Sequence, residues 1–323
     1  LADALADAMV HPGPVTIALT GVCAENVLLS RDDVTLYAAS AGAGIEAPSG
    51  STGALLSLDG SRIMLQNLTL DGNGTAYTGV MALPGSSFVG YGLLLAESRF
   101  GLIIDQGASG RVSSSSVEQS TLNGIEVEGE LSLQQTDVLD SGGAGVRVEG
   151  QVDIQQGTLA TNGGAGLWVY RGGRAELEST AITDNGGDGV TAELGATVLV
   201  TQGTVANNGS AGVRLVLGSE AELGGITVEA NAHDGIVVQH ASVLRLVGGS
   251  VPASVVGNNG SGVRLTDSSV VSANAFEITA NGAYGLQCDG VPSSAQISGT
   301  FSAASVFGNT SGNVTGCPGL SIP

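Results

Sequence analysis

The chain is predicted to be an all-β solenoid, and three recurring features predict it. A Gly followed by two alternating apolar residues returns through the last two-thirds of the sequence, at Gly124, Gly145, Gly166, Gly189, Gly212, Gly235, Gly262 and Gly285, in steps of 21, 21, 23, 23, 23, 27 and 23 residues. Four residues before each Gly stands an anchor: Ser120, Ser141, Asn162, Asn185, Asn208, Asn231, Asn258 or Asn281. Ten and eight residues before the anchor lies an alternating apolar pair, such as Val152/Ile154, Val198/Val200 or Ala221/Leu223. A fixed period built from period-two alternation is the signature of stacked β-coils.

The elements of one coil follow in order. Three short strands are expected per coil, for example at residues 152–154, near Leu159 and at residues 166–169, with bends between them. Equivalent strands can stack in parallel because the rest of the coil supplies the crossover. The anchor Asn is expected at a tight corner, where it tolerates the left-handed backbone better than most residues. Coils about 4.8 Å apart also let equivalent Asn amides bond to one another in a ladder. The interior is then rows of aliphatic side chains, which accounts for 42% hydrophobic but only 3% aromatic residues. The 52 glycines are assigned mostly to bends. The 27-residue step contains Pro252-Ala253-Ser254-Val255, read as a four-residue bulge ahead of Asn258. Residues 1–8 read as a short helix over the first coil.

The unit Asn185-Gly186-Gly187-Asp188-Gly189-Val190, together with Thr20-Gly21-Val22-Cys23-Ala24-Glu25-Asn26-Val27 near the start, resembles the right-handed parallel β-helix proteins of the pectin-lyase-like superfamily. The resemblance implies a right-handed parallel β-helix with coils of about 21–27 residues and a short N-terminal capping helix. Because the repeat is unbroken, residues 1–323 are expected to form a single domain: 1–22 the cap and first strand, 23–288 the coils, 289–323 the last coil and C-terminal cap. The resemblance is specific for fold and poor for activity, since the superfamily holds lyases, hydrolases, epimerases, and phage and surface proteins.

Composition narrows the partners. Ten Arg and no Lys face 30 acidic residues, a net charge of −20. Such a charge disfavours nucleic acid and anionic lipid, and acidic polysaccharide too unless a cation such as calcium intervenes. No run of about 18 apolar residues exists to span a membrane. No signal peptide is visible, and the abrupt start at a helix fits a processed or trimmed N-terminus. Asn313 takes the place of the next repeat Gly, which puts Cys288 and Cys317 on successive coils. A disulfide is expected there, with two buried thiols the alternative. Cys23 has no evident partner.

Most motifs dissolve into the repeat. Gly-x-Gly, as in Gly143-Ala144-Gly145, is followed by a strand where a dinucleotide site needs a helix. Asn185-Gly186-Gly187-Asp188 lacks the tandem nine-residue spacing of calcium repeats, so no metal site is predicted. His233 and His240 have no third ligand at recognisable spacing and read as exposed residues. Asp188 and Asp234 share a coil position two coils apart, about 10 Å between backbones. With His233 beside them they are the candidate catalytic groups if the chain is an enzyme; the competing reading is two solvated turn aspartates.

Two outward rows carry the candidate binding surface. One is Glu126, Arg147, Trp168, Thr191, Arg214, Val237 and Arg264; beside it run Glu149, Tyr170 and Glu193. The sole Trp falls next to Tyr170 and Arg171, so Arg147, Trp168, Tyr170, Arg171 and Arg214 form a candidate carbohydrate strip, against a bland alternative of cross-coil ion pairs. Coils near minimal length leave little for cleft walls; residues 74–92 and the Pro252 bulge are the exceptions. The sequence therefore predicts a secreted or surface-exposed β-helix with a structural or polysaccharide-binding role, acting outside the cytosol. A polysaccharide lyase, hydrolase or epimerase is the alternative. Ice binding would want flat ranks of Thr, and Thr158, Thr204 and Thr227 are too few.

Overall fold

The computed structural model describes residues 1–248, 251–290, 296–299 and 305–317. It divides into two compact units, Leu1–Thr158 and Leu159–Pro323, each a stack of parallel β-coils.

In the first unit every coil contributes three strands, and equivalent strands pair in parallel. The longest file runs Val15–Leu19, Val34–Ala38, Ile63–Gln66, Ser87–Tyr91, Ser109–Ser113, Glu130–Gln134 and Gln151–Gln155. A second file begins at Val22–Ala24 and ends at Asp137–Leu139, and a third runs from Val27–Leu29 to Val146–Val148. Alternate residues point inward, so Leu65, Val112, Leu133 and Ile154 form a buried aliphatic row. The helix spans Ala2–Val10, slightly longer than expected, and buries Ala8. Its last carbonyls are capped by Arg31, which takes Ala8 and, at 3.0 Å, His11.

In the second unit the third file runs from Leu167–Tyr170 through Val190–Glu193, Val213–Val216, Ile236–Val238, Val263–Thr266 and Tyr284–Asp289 to Gly312–Thr315. The first and second files fuse into ten-residue strands at Arg174–Thr183, Thr197–Ala206 and Glu220–Glu229. Asn313 falls opposite Gly285, between the pairs Tyr284↔Gly312 and Leu286↔Val314. Cys288 and Cys317 are joined by a disulfide, with Cα atoms 4.9 Å apart. Residues 289–323 were expected to close the stack; 291–295, 300–304 and 318–323 of that stretch lie outside the described residues.

Three local expectations are corrected. The four residues Pro252 to Val255 are not a bulge: Ala253–Val256 is a strand in register with Glu220–Glu229, and the extra length falls between Val247 and Ala253. The anchor Asn is not the left-handed residue. That conformation belongs to the residue before it, at Thr161, Asp184, Asn207, Ala230 and Ala280, with φ between 52° and 58°. The repeat Gly serves close approach and not a bend. A Cβ on Gly212 would lie 2.4 Å from Val228 Cγ1 and 2.7 Å from Asn231 Nδ2, so the anchor of the following coil occupies the space a side chain would need.

Candidate functional site

The anchor ladder supplies the rigid frame. In the second unit Asn162, Asn185, Asn208, Asn231, Asn258 and Asn281 are buried, and each donates Nδ2–H to Oδ1 of the next at 2.9–3.0 Å. Asn309 extends the ladder by one more coil. Sequence reasoning missed it, because the glycine four residues later that marks the other anchors is replaced by Asn313.

On the strand that follows the ladder, Trp168 and Tyr170 point outward from Leu167–Tyr170, both half-buried. Their ring centroids lie 5.5 Å apart at 51°, and the Arg171 guanidinium stands 4.8 Å from the Tyr170 centroid. Trp168 donates Nε1–H to Glu193 Oε1 at 2.8 Å, which fixes the orientation of the indole. Trp168, Tyr170, Arg171 and Glu193 thus form one ordered cluster of two rings, a guanidinium and a carboxylate.

The other predicted members of the strip are committed elsewhere. Arg147, in the first unit, donates to Glu126 at 2.8 Å and also to Glu149. Arg214 clamps Asp188, through Nε at 2.7 Å and Nη2 at 3.1 Å. Val237 was expected to face outward in this row, yet it is buried. Its register neighbours are Arg214 and Arg264, long side chains whose stems flank it.

The candidate catalytic residues have a structural occupation. Asp188 Oδ1 accepts the backbone N–H of Ala211 at 2.9 Å, and Oδ2 accepts the Thr191 hydroxyl at 3.1 Å in addition to the Arg214 contacts. Asp234 accepts the N–H of Ser261 at 2.6 Å and lies 3.8 Å from Arg264, which is bonded to Asp289 at 2.6 Å. Asn123 does the same for Ala144 N–H, at 2.7 Å. Each of these side chains holds the next coil by its equivalent backbone N–H, so neither aspartate is the solvated turn residue expected. Burial pushes the Asp188 carboxyl upward, but the bonds and charge of Arg214, with Ser210 and Ala211, outweigh it and hold the group below the usual carboxylate range. His233 is exposed, and His240 lies 3.6 Å from Asp267. Among the described residues no three His, Cys, Asp or Glu side chains cluster to hold a metal, and no helix is long and apolar enough to cross a membrane.

Coils near minimal length were expected to leave little for cleft walls, with residues 74–92 one of two exceptions, and the first unit carries a groove that includes Ser87, Phe88 and Val89 of that segment. The groove, of about 630 Å³, lies across the longest strand file, lined among others by Met64, Val89, Arg111, Glu130 and Asp153. It follows the outward positions Ser87, Ser109 and Ser132, which are small where adjoining side chains are large.

Comparison with known proteins agrees with this architecture. The family model described as a right-handed β-helix region matches residues 123–269, somewhat under half the chain. No curated protein matches the sequence. The solved periplasmic alginate epimerase AlgG is similar over 91% of this chain and 78% of its own, with a TM-score of 0.70 and 14% identity. The A-module of the Azotobacter vinelandii mannuronan C-5 epimerase AlgE4 is similar over 96% and 88%, at 0.59 and 17%. The catalytic unit of a thermostable GH87 α-1,3-glucanase from Streptomyces thermodiastaticus is similar over 95% and 64%, at 0.54 and 14%. The fold is therefore the right-handed parallel β-helix that the sequence resembled.

Proposed function

We propose that the protein binds polysaccharide without cleaving it, and that Trp168, Tyr170 and Arg171 form its sugar platform. The observation that carries this reading is the ordered stack of two rings and a guanidinium, with the indole pinned by Glu193. A pyranose lays its C–H face on an aromatic ring while its hydroxyls bond to guanidinium and carboxylate groups. Pre-ordering of those side chains lowers the entropy lost on binding. Arg214 belongs to the supporting wall, since its guanidinium already holds Asp188, and the Arg147 guanidinium, in the first unit, is likewise taken by carboxylates.

Polysaccharide is also the substrate class named for the similar alginate epimerases and glucanase, which supports the same class here and a location outside the cytosol. Glycoside cleavage needs one carboxyl that carries a proton and a second that faces the sugar. Asp188 is held ionised by four donors and has no proton to give, and Asp234 is bonded to the Ser261 amide. Both are tied into the wall of the coil.

The test is retention on an array of neutral and acidic polysaccharides, with and without calcium. Trp168→Ala should abolish retention while the far-UV circular dichroism is unchanged. The same panel should release no reducing ends or unsaturated products. Product formation that disappears in Asp188→Asn or Asp234→Asn would overturn the binding reading in favour of an enzyme.

A further inference from the structure

Ten arginines carry all the positive side-chain charge of this acidic chain. Among the described residues nine have their guanidinium against a carboxylate, a backbone carbonyl or a tyrosine ring. Arg111 is the exception, and it is exposed. It stands in the middle of the groove of the first unit. Register puts Val89 and then Met64 on the two coils before it, and Ser132 and then Asp153 on the two after. Met64 and Val89 are 37% and 42% exposed, apolar side chains turned into the groove, with the Gln66 amide 2.9 Å from the Met64 sulfur. Beneath them, a Cβ on Gly110 would meet the buried Phe88 ring at 2.6 Å, so the core under the groove is closely filled.

We propose that this groove binds a small organic acid, with its single anionic head on Arg111 and its apolar body over Val89 and Met64. The site is independent of the Trp168 platform. The order of charge along the groove selects the ligand. A polyanion laid along the coils and paired with Arg111 meets the like charges of Glu130 and Asp153 within two strand spacings, about 10 Å, while Arg62, at the other end of the groove, is already held by Asp33. A neutral amphiphile gains no charge-assisted bond from the guanidinium. A carboxylate or sulfonate head accepts charge-assisted bonds from Arg111, and an apolar tail covers the exposed Met64 and Val89. The groove has the volume of a small-molecule site.

Fluorescence of anilinonaphthalene sulfonate, which joins one sulfonate to an apolar ring system, tests this on the full chain. The dye should bind the native protein and be displaced by octanoate, but not by octyl glucoside or trigalacturonate. Arg111→Gln should weaken dye and octanoate by roughly 10–100-fold, the loss of a charge-assisted bond, with the thermal midpoint unchanged because the side chain is exposed. Val89→Ser should weaken both, and Trp168→Ala neither. Unchanged affinity in Arg111→Gln overturns the proposal, as does displacement by trigalacturonate as efficient as by octanoate. Loss of binding in Trp168→Ala places the dye on the aromatic platform and also overturns it.

Discussion

Asn208 uses all four hydrogen-bonding positions of its amide. Nδ2 donates to Asn231 Oδ1 and to the Ile182 carbonyl, while Oδ1 accepts the side-chain and backbone N–H groups of Asn185. No other neutral side chain of that length offers two donors and two acceptors. Asn208→Leu should therefore cost about 1–3 kcal/mol, measured by denaturant unfolding, because the amides above and below lose partners in a buried site. Gly212→Ala should cost a similar amount, about 1–3 kcal/mol, by overpacking against Val228 and Asn231. Asp188 adds a pH dependence. Its carboxyl is held below the ordinary value, so its contribution is present above that value and is lost as the pH falls through the lower, folded one. At neutral pH Asp188→Asn should lower stability by about 1–3 kcal/mol, and the gap to wild type should close below about pH 4. A gap that stays constant down to pH 2 would remove the Asp188–Arg214 pair from the account.

The turns that follow the outward strands of the second unit share one construction. Two consecutive residues take positive φ at Arg171–Gly172, Leu194–Gly195 and Leu217–Gly218. A leucine there is an unfavourable choice, since the left-handed conformation costs a side-chain-bearing residue roughly 1–2 kcal/mol. Leu217 is 47% exposed, so burial returns little of that cost. Leu217→Asn should accordingly raise stability by about 0.5–1 kcal/mol, readable as a higher unfolding midpoint. The strands themselves show how a bend is tuned. Ser179 and Gln202 take positive φ inside ten-residue strands that stay in register on both sides, whereas the added residues after Val247 split the same path into Val243–Val247 and Ala253–Val256.

For the whole molecule we propose one domain over residues 1–323, and calorimetry tests it: one transition is expected, and two would divide the chain near residue 158. The Cys288–Cys317 disulfide closes a loop of 29 residues. Replacing both with Ala should lower stability by about 2–4 kcal/mol through the entropy restored to the unfolded chain. Alkylation of the unreduced protein should label Cys23, the one free cysteine, and neither of the other two.

The repeat was legible in the sequence because period-two alternation and a fixed step are local properties of the chain, and stacking turns them directly into parallel files. The ladder was legible for the same reason: identical residues one coil apart must meet. The cross-coil pairing of Arg147 with Glu126 was legible as the alternative to a sugar contact, but the roles of Asp188, Asp234 and Arg214 were not, because a carboxylate at a turn looks the same whether water or the next coil's N–H group fills its valence. The groove was hidden as well, since it depends on Ser87, Ser109 and Ser132 being small beside Val89, Arg111 and Glu130 on adjoining coils. Side-chain volume summed across strands more than 20 residues apart in sequence has no local signature. Composition revealed that positive charge was scarce; only the packing of neighbouring coils showed which guanidinium was left facing an open groove.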